Sequence, residues 1–108
     1  MRLSADREDP GWHEAHRKGI NLNYVLILCG GDFLRHIVTA DTDLGFVDVV
    51  ELNDLGKAVK LAGSIAVRHI HGKVEFRFLA AEDGSWPHVG LPRPEKPIRA
   101  EKWRRKVP

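Results

Sequence analysis

Val74-Glu75-Phe76-Arg77-Phe78 alternates without a break: three apolar side chains fall on one face, Glu75 and Arg77 on the other. Successive residues of an extended chain point to opposite sides, so this period of two marks a half-buried β-strand. Upstream, residues 65–71 read as a strand that reaches this one around Gly72. Residues 46–52 read as another, with Val47 and Val49 on one face and Asp48 on the other. The cluster Asp41-Thr42-Asp43-Leu44-Gly45 is a turn, and residues 33–40 form the strand before it. Gly30-Gly31-Asp32 carries the signal of a tight hairpin, and residues 22–28, apolar on both faces except at Asn23, suggest a buried strand. Residues 58–64 fit a short helical face as well as a strand. Short strands linked in series by turns predict a mainly β fold: a small antiparallel meander closed into a barrel or a sandwich.

The flanks follow other rules. Asp9-Pro10 is a good helix opening, because Asp caps free amides and Pro is tolerated at the first helical position. Gly19 is a natural stop, which predicts one short helix over residues 10–18. After residue 81 the pattern disappears, and five of the six prolines fall at 87, 92, 94, 97 and 108, which favours an extended arm. The expected organisation is an N-terminal arm with a short helix (1–20), a β domain (21–81) and a Pro-containing basic C-terminal arm (82–108). A body of that size is marginal unless arms or other subunits cover part of it.

The net charge of +2 hides a segregation: residues 21–86 carry six basic and nine acidic side chains, and residues 87–108 carry seven basic and two acidic. An acidic body with a basic tail suits nucleic acid bound through the tail, or a neighbouring acidic body. The longest apolar run, residues 24–29, falls far short of the roughly 18 residues of a membrane span, so no membrane is expected. One cysteine, Cys29, cannot make an internal disulfide, and a reducing compartment is the default.

No catalytic motif stands out, and an enzyme is not expected. Cys29 lies at the end of an apolar strand, where a structural thiol is the plainer reading than a nucleophile paired with His36. His13 and His16 share a helix face, and His69 and His71 share a strand face. Four imidazoles suit zinc if the pairs meet, but solvated or packing histidines are the simpler reading, so neither metal nor cofactor is assigned. Asp41 and Asp43 resemble the start of a calcium loop, yet position twelve is Leu52 instead of a bidentate Glu, and turn chemistry explains them. The tail is more informative. Lys96, Arg99, Lys102, Arg104, Arg105 and Lys106 surround Trp103, which combines phosphate neutralisation with stacking. Trp12, Trp86 and Trp103 all flank the body and read as anchors on a partner, together with Arg99, Arg104, Arg105 and Lys106.

The stretch Ala40-Asp41-Thr42-Asp43-Leu44-Gly45-Phe46-Val47-Asp48-Val49, with His71-Gly72-Lys73-Val74-Glu75-Phe76 downstream, resembles small β-rich proteins of tailed phages and prophages. In those proteins an Ala-Asp turn leads through Gly and an aromatic into a strand, and a Gly-Lys/Arg-Val strand follows. The resemblance implies a phage-encoded head or tail component, in the virion or the host cytoplasm, and brings no catalytic residues. The expected function is a structural interaction protein that binds neighbouring subunits, as a homo-oligomer or with virion proteins, through its terminal arms. The alternatives are a nucleic-acid-binding module using residues 96–106 and a phage-encoded inhibitor of a host protein.

Overall fold

The computed structural model describes residues 1–100. The chain opens with strand β1 (Arg2–Ser4), followed by helix α1 (Pro10–Arg17) and a 3₁₀ turn (Leu22–Tyr24). Strands β2 (Val25–Cys29), β3 (Asp32–Phe33), β4 (Ile37–Asp41) and β5 (Phe46–Val50) come next. Then come β6 (Lys60–Leu61), β7 (Ser64–Ile65), β8 (Val67–His71) and β9 (Val74–Phe78). The helix starts where the sequence predicts: the Asp9 carboxylate accepts from the Gly11 amide, Pro10 is the first residue, and Gly19 follows at φ +66°.

Among the described residues the fold is mainly β, with three antiparallel sheets and one short helix. A four-stranded sheet has the order β1-β4-β5-β8, a three-stranded sheet the order β3-β2-β9, and β6-β7 is a separate hairpin. The Gly30-Gly31 turn takes both residues to positive φ, as a two-residue hairpin requires, and sets Cys29 opposite Asp32. The inner faces of the two larger sheets meet over Cys29, Ala40, Val47, Val49 and Val74, with Ile27, Ile37, Ile70 and Phe76 packed alongside. A second apolar cluster, Leu3, Ala15 and Ile20 with Leu22, Phe78 and Leu91, seats α1.

Three expectations need correction. No closed barrel forms, because the two larger sheets share no strand. The serial meander breaks at β9, which pairs with β2 in register Val25↔Phe78 to Cys29↔Val74 and not with β8. Gly72 makes that change of sheet, and any Cβ there would lie 2.9 Å from the Cys29 sulfur. The strand expected over residues 33–40 is cut in two, because His36 takes φ +58°. The sequence pattern also carries no sign of β1, which pairs with β4 in register Arg2↔Asp41 to Ser4↔Thr39.

Helix α1 lies tightly on β1. A Cβ on Gly11 would sit 2.9 Å from both the Leu3 carbonyl carbon and the Ser4 nitrogen, which are backbone atoms that cannot swing aside. Gly11→Ala should therefore lower stability by about 1–3 kcal/mol, although alanine is the better helix former by about 1 kcal/mol. A urea midpoint that rises in this variant would show that the helix shifts freely on the strand.

Candidate interaction surface

Between β5 and β8 the chain makes an excursion that leaves both sheets. The Glu51 amide donates to the Ala66 carbonyl at 2.9 Å, Ala66 to Val59 at 2.8 Å, and Val59 back to Glu51 at 2.8 Å. The Asn53 carboxamide accepts from the Leu55 and Lys57 amides, and β6-β7 turns back through Ala62 and Gly63, both at positive φ. This resolves residues 58–64 as a small hairpin. The tongue is tied together by its own backbone hydrogen bonds, but its apolar side chains are open. Leu55 is 80% exposed, Leu61 66% and Ile65 54%, with Leu52 and Val67 also open, and none of them belongs to either core cluster. A two-stranded hairpin without a buried face is marginal in water, and the register that pairs Ile65 with Lys60 and Leu61 with Ser64 puts one exposed apolar side chain on each of its faces, open to a partner.

Beside the tongue runs the outer face of the four-stranded sheet. Asp48 and His69 are cross-strand partners, and the His69 Nδ1 lies 2.5 Å from the Asp48 carboxylate. The His69 ring stacks on Phe46 at 4.5 Å and meets the His71 ring edge-on at 4.5 Å. The Arg2 guanidinium also lies over Phe46 at 5.2 Å and forms a two-pronged bond to Asp9 at 2.9 and 2.8 Å. The hydrogen bond from Arg2 holds the Asp9 carboxyl below the usual carboxylate range. Burial pushes Asp41 up, but the Leu44 and Asp43 amides and Arg2 outweigh it and leave this carboxyl low as well. A groove of about 590 Å³ between residues 5–9 and the tongue is lined by Asp6, Asp9, Thr39, Asp48, Ile65 and Val67.

The C-terminal segment docks on the chain's own body as far as it is described. His88 is 0% exposed; its Nδ1 accepts from the Asn21 amide at 3.1 Å, and its Nε2 donates to the Leu79 and Tyr24 carbonyls at 3.1 and 3.2 Å. Trp86 packs edge-on against that ring at 4.9 Å and donates to the Leu91 carbonyl at 2.9 Å. A bridge between Ala80 and Arg99 ties the segment back to the end of β9, and the Arg99 guanidinium lies over Gly84.

The residues predicted as partner contacts are thus scattered. Trp12 is half-buried on α1, stacked on His16 at 3.7 Å, while Trp86 serves the chain's own fold. Trp103, Arg104, Arg105 and Lys106 lie outside the described residues. Cys29 is buried in the core between the sheets. Asp41 accepts from the Asp43 and Leu44 amides at 2.9 Å, the turn chemistry expected of it. His13 and His16 sit on the helix and His69 and His71 on β8; among the described residues no three metal-ligating side chains gather. Sequence reasoning missed the tongue, because exposure of Leu55, Leu61 and Ile65 depends on what fails to cover them. Among the described residues no helix is long and apolar enough to cross a membrane. In comparisons with known proteins, no family model, no curated protein and no solved structure matches this chain.

Proposed function

We propose that this chain is a structural interaction protein, an assembly component of the phage head or tail type, which binds neighbouring protein subunits. The observation that carries this reading is the tongue: a small hairpin whose Leu55, Leu61 and Ile65 are exposed and belong to neither core cluster. Burying one such side chain on a neighbour stabilises the contact by about 1.5–3 kcal/mol. The resemblance of residues 40–49 and 71–76 to phage proteins supports the virion setting. Contact through the terminal arms stays part of the proposal for Trp12 and for residues beyond 100. Residues 82–100 are largely engaged on the chain's own body, so the tongue becomes the leading contact.

The test is Leu61→Lys combined with Ile65→Lys, both at exposed positions that leave the cores intact. The wild-type chain should sediment as an oligomer, and the double variant as a monomer with unchanged far-UV circular dichroism. A wild-type chain that stays monomeric up to its solubility limit, or a double variant that associates normally, would remove the tongue from the contact surface.

A further inference from the structure

The edges of the two larger sheets are treated differently. Helix α1 packs closely on β1, β3 is only two residues long, and Phe76 and Phe78 of β9 face Trp86, Leu91 and Pro94 across a shared groove. Strands β8 and β9 are both five-residue edges with no proline, no bulge and no strand on the outer side among the described residues, but only β8 carries two histidines on one face. The amide of Gly72 donates to Gly45 and that of Glu51 to Ala66, so residues 68 and 70, in phase with these pairs, spend their backbone groups on β5. By the same alternation, Val67, His69 and His71 turn their N–H and C=O groups outward. Proteins normally blunt an edge of this kind, and one left open is a template for another strand.

The geometry points to a second copy of β8 as that strand, paired antiparallel about a two-fold axis, with a divalent transition-metal ion held between the copies by His69 and His71 of each. Centred on Ile70, the pairing sets each His69 opposite the other copy's His71, in line with the outward backbone groups. It places Arg68 opposite Gly72 and avoids a like-charge clash. All four imidazoles then lie on one face, because residues two apart in a strand share a side. One copy cannot hold the ion alone, since no three ligating side chains gather among its described residues.

The chemistry of His69 favours this use. Asp48 accepts from Nδ1, so the proton sits there and Nε2 presents its lone pair. A carboxylate behind a ligating histidine fixes the tautomer and strengthens the ligand. Phe46 and His71, each with its ring 4.5 Å away, hold the ring in place. Four neutral imidazoles match the tetrahedral preference of zinc.

This site adjoins the tongue through Val67 but is read through its own signal, dependence on zinc and on His71. The full chain carrying Leu61→Lys and Ile65→Lys provides a monomeric background, and Zn²⁺ is the probe. Light scattering should show the mass double on adding Zn²⁺ and fall back with a chelator, and titration calorimetry should give one Zn²⁺ per two chains. Adding His71→Ala should abolish the doubling with unchanged circular dichroism, and Asp48→Asn should weaken zinc binding by 10-fold or more. No zinc binding, one zinc per chain without a change of mass, or doubling that survives His71→Ala would overturn the inference. If the tongue variant is already an oligomer without zinc, the tongue reading fails; the zinc test then passes to the wild-type chain, where His71→Ala must abolish zinc binding.

Discussion

Replacing His88 with alanine should destabilise the fold by about 3–5 kcal/mol, a large share of the stability of a small domain. The ring is fully buried and answers one donor and two acceptors of the backbone, in segments as far apart as Asn21 and Leu79. Alanine removes all three bonds, orphans the Asn21 amide and empties the space between Phe78 and Trp86. His88→Phe keeps the aromatic volume and should recover part of the loss. The bonds also fix the ring as neutral, since Asn21 can only donate and the two carbonyls only accept. Burial pushes its pKa below the ordinary imidazole value, outweighing the two carbonyl bonds. The unfolded chain therefore binds this proton more readily than the folded one. Stability from His88 is complete above about pH 6.5 and is lost as pH falls from there through the lowered folded value. Denaturation midpoints measured across that window should slope in the wild type and flatten in His88→Phe. A loss below about 1 kcal/mol in the alanine variant would show that the segment 82–100 is not clamped by this residue.

The two kinds of feature differ in how far apart in the chain their causes lie. The alternation at 74–78, the Gly30-Gly31 turn, the Asp41 turn and the Asp9-Pro10 cap are each dictated by a few adjacent residues, and each appears where the sequence places it. Strand β1 does not announce itself, because Arg2-Leu3-Ser4 becomes a strand only through β4, almost forty residues on. Nothing local chooses β2 over β8 as the partner of β9; that choice rests on the core that Ile27, Val74 and Phe76 close together. The candidate surface obeys the same rule. His69 and His71 are legible as a same-face pair, but Asp48 joins them only through the β5-β8 register. His88 has no suggestive neighbour in the sequence, because its partners Asn21, Tyr24 and Leu79 are brought together by the β2-β9 pairing.

The strongest polar tie on the outer face should prove to be Arg2. Its guanidinium spans three elements: the Asp9 cap of α1, the Asp41 turn between β4 and β5, and the Phe46 ring. The two carboxylates are largely buried, whereas the arginine is about a third exposed, 32%. Arg2→Met keeps the length of the side chain and leaves the half-buried Asp9 and buried Asp41 carboxylates without their cation. Losing one partner of a buried pair costs about 3–5 kcal/mol, and solvent screening of the exposed arginine brings the expectation to about 2–4 kcal/mol. Asp9→Asn is the informative partner, because asparagine still caps a helix and only the charge is lost. If the Arg2–Asp9 bond carries the effect, the double variant should be less damaged than the sum of the singles, with a coupling of about 1–3 kcal/mol. The acid limb gives an independent readout. The folded pKa of each carboxyl is depressed, so its contribution is present above the unfolded value near 3.8 and is lost as pH falls through the lower folded value. In Arg2→Met both carboxyls move up, so the loss of stability as pH falls below the unfolded value near 3.8 should become shallower. An additive cycle with an unchanged acid limb would mean that Arg2 acts only by packing over Phe46, and that β1 is held to the sheet by its ladder, by Leu3 and by the Ser4 hydroxyl bonds to Val38 and Thr39.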